Sequence, residues 1–242
     1  MQADVSEPFV SYGVAHLVAM CITAAIMVGL PWAIRRLESP RVERWVALSL
    51  ATAMISHELV KIAVRVWVLD QRLVEQLPLH LCSMGMLLTA FLLIRKNYGA
   101  FEVAYFWAMG GTLQAVITPN LRDAFPSFNF FSFFLGHGLV LVGVAYAIVI
   151  YGFRPTFRSV LKTIWITLPY MAFAGVLNVL LDTNFLYLRH KPLQPTVIDL
   201  LGPWPWYIPS MIGLGIVICL LLYLPFRALA KREHSTTESP GT

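Results

Sequence analysis

The residues whose types and spacing could do chemistry in this chain are few, and they sit inside apolar segments. Cys82 lies in Leu77-Pro78-Leu79-His80-Leu81-Cys82-Ser83, and His137 in Phe133-Phe134-Leu135-Gly136-His137-Gly138. A cysteine with a nearby histidine can be a nucleophile and its base: the imidazole draws off the proton and the thiolate attacks an acyl carbonyl. Gly136 and Gly138 would leave room for a substrate chain beside the imidazole. The same two residues also read as a small buried hydrophobe and a histidine bridging helices.

A second constellation is His57, Glu58, Lys61 and Arg65. At 100° per residue these fall within an arc of about 100°, so they share one helix face. One reading is an internally neutralised stripe, with Glu58 and Lys61 paired at i+3. The other gives Arg65 an anionic head group such as a lipid phosphate. The stretch His57-Glu58-Leu59-Val60-Lys61 lacks the second histidine of H-E-x-x-H, so a metalloprotease is not supported.

Candidate substrate contacts are Arg65, His80, Gln114, Asn120, Asn178 and Asn184, joined near one layer by Asp182 and Asp199. Such groups could orient His137 or donate to an oxyanion, and they could equally cap helices or bridge them. His57, His80 and His137 lie at different depths without ligand spacing, so no metal is expected. No nucleotide, haem or flavin motif is visible, and no cofactor is expected.

The elements that must hold these residues are membrane spans. Of 242 residues 58% are hydrophobic and 13% charged, and the mean hydropathy is +0.69. The apolar residues fall into runs of roughly 18 to 25, the length that crosses about 30 Å of hydrocarbon. The spans read as Tyr12–Ile34, Arg44–Leu69, Pro78–Ile94, Ala100–Thr118, Phe130–Tyr151, Val160–Leu181 and Trp206–Phe226. The expected fold is an all-α polytopic bundle of about seven transmembrane helices; the alternating segments of a membrane barrel are missing.

The net charge of +5 sorts by loop rather than forming a nucleic-acid-binding patch. One side holds Arg35, Arg36, Arg41, Arg44, Arg95, Lys96, Arg154, Arg158, Lys162, Arg227, Lys231 and Arg232. The other holds Arg72, Arg122, Arg189 and Lys191. The positive-inside rule places the first side in the cytoplasm, with the N-terminus outside and the C-terminus cytoplasmic. Cys82 and His137 then fall about 7 and 10 Å below the outer surface. The first ten residues lack a basic n-region, and the first apolar run is long enough to remain as a span.

No internal repeat is visible, so residues 1–232 read as one domain and the polar stretch 233–242 as a disordered cytoplasmic tail. Cys21, Cys82 and Cys219 lie at different depths, which argues against a disulfide framework. Pro-rich aromatic segments before spans five and seven, Phe125–Phe131 and Gly202–Tyr207, read as an interfacial belt or as a shaped lid over a lipid-facing cavity.

Five ordered stretches carry a resemblance: LPLHLCS (Leu77 to Ser83), YFWAMGGTLQAVITPNL (Tyr105 to Leu121), FPSFNFFSFFLGHG (Phe125 to Gly138), NVLLDTNFLYLRHKP (Asn178 to Pro192) and DLLGPWPWYI (Asp199 to Ile208). Together they resemble the YwaF-type bacterial integral membrane proteins, which are similar to an animal transmembrane phospholipid acyltransferase acting on ether lipids. The resemblance implies Cys82 and His137 as a catalytic pair moving a fatty acyl chain between phospholipids and lysophospholipids through a thioester. It also implies a multi-pass protein of the bacterial inner or plasma membrane. The chain departs from the bacterial pattern at Asp182, where glycine is common before Thr183-Asn184, which bears on the local turn. Two competing functions stay open: a transporter or channel using the stripe of the second span, and a non-catalytic lipid-binding protein.

Overall fold

The computed structural model describes residues 8–192 and 196–237. Its order is α1 (Val14–Arg36), α2 (Pro40–Ala63), α3 (Leu81–Arg95), α4 (Tyr98–Trp107), α5 (Phe128–Ile150), α6 (Phe157–Leu181) and α7 (Tyr207–Thr237). Two of these helices are extended by π-turns. A π-turn at Val64–Val68 extends α2, and another at Ala108–Thr112 carries α4 into a last α-turn, Leu113–Ile117. Five helices, α1, α2, α5, α6 and α7, are long and apolar enough to cross a bilayer. Among the described residues there is no strand, only an isolated bridge between Pro8 and Asp123. The chain is a multi-pass helical membrane protein.

The helices begin where the sequence supplies caps. Ser39 accepts from the Val42 amide ahead of Pro40, whose missing N–H costs nothing in the first turn. Asn97 accepts from Ala100 and Ser127 from Phe130, while Thr156 and Ser159 cap each other's backbone. These caps start the helices a few residues before the apolar runs. At the other ends arginines satisfy orphan carbonyls: Arg44 donates to Ile94 O at 2.7 Å and Arg154 to Ile148 O at 2.8 Å.

α5 is the central helix; α1, α2 and α3 and the π-turn of α4 pack around it. Glycines let them close in. A Cβ at Gly143 would stand 2.6 Å from both Met54 Cε and Thr89 Cγ2, and one at Gly136 would stand 2.6 Å from His57 Cε1. Without a hydrophobic force between helices in lipid, this close backbone approach is what supplies dispersion contact. α4 lies between α3 and α6, and α7 rests on α6 and the π-turn of α4. Large apolar side chains such as Val14, Trp67, Val179 and Leu221 point outward, as a lipid solvent requires.

Two expectations change. The third span was expected from Pro78, but α3 begins only at Leu81 with His80 as its N-cap, preceded by a 3₁₀ turn at Leu73–Gln76. Proline at 78 disfavours helix in the residue before it, and the carbonyl of Leu77 instead accepts from Leu79. At 15 residues, α3 is about 22 Å long and does not reach across a 30 Å core. The polar stretch from Glu233 was expected to be disordered; α7 continues as far as Thr237, and residues 238–242 lie outside the described residues.

Candidate functional site

The two constellations legible in the sequence come together in space. On α2, Lys61 Nζ donates to both carboxylate oxygens of Glu58 at 2.7 Å and to Ser83 Oγ at 2.9 Å. Glu58 is 3% exposed and Lys61 14%. All three ammonium protons are used, so the i,i+3 pair is a closed, neutral unit that ties α2 to the first turn of α3. Ser83 follows Cys82, and the Glu58–Lys61 pair acts electrostatically on Cys82 and on His137 alike.

Cys82 occupies the first turn of α3, shallower along its helix than the sequence suggests. Its thiol neighbours the Thr112 hydroxyl at the end of the π-turn in α4. His137 stacks on Phe133, centroids 4.1 Å apart, and its Nδ1 donates to the Phe133 carbonyl at 2.7 Å. A carbonyl can only accept, so this bond sets the tautomer and leaves the Nε2 lone pair available for a proton. Cys82 and His137 share neighbours but are not hydrogen-bonded to each other. His57 makes the complementary arrangement: Nε2 donates to Ser132 O at 2.9 Å, and Nδ1 is buried without a partner among the described residues. Gly136 leaves room for that ring.

Beside this cluster opens a polar pocket of about 900 Å³, lined among others by Arg65, His80, Asn120, Phe133, Tyr187 and Arg189. Arg65 stands on the π-turn of α2, donates to Gln76 Oε1 at 3.3 Å, and keeps a buried Nε without a partner among the described residues. A π-turn displaces the side chains it carries from the helical register and is frequent at functional sites. Several of the pocket's other cations are already engaged. Arg72 donates to the Leu181 and Asp182 carbonyls, and Arg189 to Asn178 O, Thr183 O and Asp182 Oδ1, together capping the end of α6. The Arg189 hydrogen bond and charge hold the Asp182 carboxyl below its usual value.

The other sequence candidates divide. His80 packs between the rings of Phe185 and Tyr187, with centroids 5.6 Å from each. Asn120 donates to the Tyr187 hydroxyl at 3.0 Å. Asn178 is fully buried, and its amide holds Phe185 O, Phe185 N and the Thr183 hydroxyl. Asn184 lines the pocket but uses its amide on Arg189 N and His190. Gln114 is exposed and, among the described residues, its side chain bonds only Thr118, one turn on. Asp182 adopts φ +50° as the C-cap of α6, the left-handed conformation that accounts for glycine in the pattern the chain departs from. Residues the sequence reading passed over are Ser83, Thr112 and Tyr187, all within the stretches quoted above. Another is His16, whose buried ring ties α1 to Val116 O at 2.9 Å. Among the described residues no group of three or more His, Cys, Asp or Glu side chains is arranged to hold a metal ion.

The fold and the intramembrane polar cluster define a multi-pass helical membrane protein with a half-buried thiol and imidazole beside a polar pocket. A family model described as the TMEM164 family matches residues 11–223. That is most of the chain, and the protein belongs to the TMEM164 family. No curated protein and no solved structure matches the chain significantly.

Proposed function

We propose that the protein is a membrane-embedded acyltransferase of phospholipids, or an acyl hydrolase when water is the acceptor, acting through a thioester on Cys82. The observation that carries this reading is the shared surroundings of Cys82 and His137. From separate helices both lie within electrostatic reach of the Glu58–Lys61 pair, and among the described residues His137 keeps Nε2 free. In this reading His137 takes the Cys82 proton, and the thiolate attacks an ester carbonyl of the donor lipid. The bond to the leaving oxygen breaks, and His137 returns the proton to it. An acceptor hydroxyl, deprotonated by the same ring, then attacks the thioester and restores the thiol.

The pocket receives the polar end of the lipid, with the phosphate on Arg65 and the glycerol region against His80, while Asn120, its amide given to the Tyr187 hydroxyl, acts through that residue. Gln114, Asn178 and Asn184, whose amides are engaged elsewhere, take no part. The arginine-rich helix ends lie in the cytoplasm and the pocket opens toward the outer leaflet of a plasma or bacterial inner membrane, with the N-terminus outside. A proton path along α2 is less well supported, because Lys61 gives its donors to Glu58 and Ser83.

The test is to incubate the purified protein in lipid with a labelled phospholipid and a lysophospholipid. Mass spectrometry then reads the transferred chain and acylated Cys82. Cys82→Ala is expected to abolish both signals, and His137→Ala to lower the rate by about 10²–10⁴-fold. Transfer unchanged by both substitutions, or none across a broad lipid panel, would remove the acyl-cysteine reading in favour of lipid binding or transport.

A further inference from the structure

Tyr187 sits in the turn between α6 and α7, and its placement is unusually constrained. Leu186 and Tyr187 both have left-handed backbones, φ +58° and +56°. Residues with a Cβ disfavour this conformation, and it persists where surrounding contacts impose it. Those contacts are present: Tyr207 Oη donates to the Tyr187 carbonyl, His80 packs on the ring, and Asn120 Nδ2 donates to the hydroxyl at 3.0 Å.

Through His80 they tie the phenol to the helix that carries the thiol. His80 is the N-cap of α3 and Cys82 is in its first turn; Tyr187 and Cys82 interact electrostatically. The Asn120 amide occupies a lone pair of the phenolic oxygen, and among the described residues the O–H proton has no acceptor. Burial pushes the phenol above its usual range, against a smaller opposing effect of the Asn120 hydrogen bond, so the group keeps its proton at neutral pH. A protonated hydroxyl with a committed lone pair and an uncommitted hydrogen is a donor awaiting an acceptor.

We infer that Tyr187 is the oxyanion donor of the site: its O–H, aimed by Asn120, hydrogen-bonds the acyl carbonyl oxygen while Cys82 attacks the carbon. This rests on the acyl-cysteine reading above. As the C–S bond forms, the carbonyl π pair moves onto oxygen and meets the Tyr187 hydrogen bond; the phenol gives up no proton. On collapse the C=O re-forms, the ester C–O bond breaks, and the leaving alkoxide takes the proton His137 removed from Cys82. Thr112, the thiol's own neighbour, is placed to hold sulfur rather than the carbonyl oxygen. Asn120 is a positioning residue.

The experiment uses the full chain in lipid nanodiscs with three readouts: single-turnover acylation of Cys82 by a labelled phospholipid, affinity for that phospholipid, and affinity for an analogue carrying a trifluoromethyl ketone in place of the scissile ester. The ketone forms a reversible hemithioketal whose oxyanion reports the donor. Tyr187→Phe, which keeps the ring, is expected to slow acylation and weaken the ketone by about 10²–10³-fold. Phospholipid affinity should stay within about twofold. Asn120→Ala should lose part of the same two signals only. Should Tyr187→Phe fail to fold, Asn120→Ala decides: a selective loss supports the assignment and wild-type behaviour overturns it. Cys82 acylated by Tyr187→Phe at the wild-type rate overturns the oxyanion role and leaves the acyl-cysteine intact. An equal loss of ketone and phospholipid binding overturns it in favour of a structural role. No acylation of Cys82 in the wild type removes the acyl-cysteine reading and this inference with it.

Discussion

Neutralising one partner of the Glu58–Lys61 pair tests whether it is the closed unit its geometry describes. With Glu58 3% and Lys61 14% exposed, either charge left alone has little water to turn to. Breaking a buried pair costs about 3–5 kcal/mol, whereas replacing both charges together is often neutral or stabilising. Glu58→Gln keeps an amide oxygen for the ammonium and should fall near 3 kcal/mol. Lys61→Met leaves a carboxylate with no donor from α2 and should fall near 5, on the same scale. At about 2–4 °C per kcal/mol for a chain of this size, the single variants should unfold roughly 6–20 °C below the wild type. Glu58→Gln/Lys61→Met should recover most of that loss. Thermal unfolding in one detergent, followed by circular dichroism, measures all four proteins. Losses that simply add in the double variant would refute the reasoning, because two independent side chains show no coupling.

Two further outcomes follow from the packing and the pocket rim. Gly143→Ala should destabilise by about 1–3 kcal/mol, since the added methyl meets Thr89 as well as the more yielding Met54. Equal thermal stability with and without the methyl would show that α2 and α3 can move off α5. The Asp182 carboxyl is held below its ordinary 3.8 by Arg189. Its contribution is therefore complete above pH 3.8 and is lost as pH falls through the lower folded value. Hydrogen exchange of residues 182–192 should show protection declining in that acid range, less so in Asp182→Asn, and an identical profile in both proteins would count against it.

The helices were legible because apolar run length reports membrane span directly. Four of them start ahead of their apolar runs, at Pro40, Tyr98, Phe128 and Phe157, since capping Ser, Asn and Thr residues carry no apolar signal. The face shared by Glu58 and Lys61 was legible from helical period. Its contact with Ser83 was not, since it depends on how α2 meets α3. Neither π-turn has a sequence signature, yet one carries Arg65 and the other Thr112. Residue type alone could not separate Asn120, which lines the pocket, from Asn178, which is locked in the turn after α6: both are amides near a helix end.

The brevity of α3 bears on how a lipid would meet the thiol. A helix of about 22 Å in a hydrocarbon layer of about 30 Å leaves a shortfall of roughly 8 Å. The chain before it is non-helical apart from a 3₁₀ turn at Leu73–Gln76 and borders the pocket through Glu75 and His80, so water and head groups would descend at that end beside neighbours long enough to cross. A bilayer lipid would then present its ester linkages to the first turn of α3 without being hauled out of its leaflet. Its tails would stay among those of adjacent lipids, and tail length would be sensed by the surrounding membrane rather than by a closed cavity.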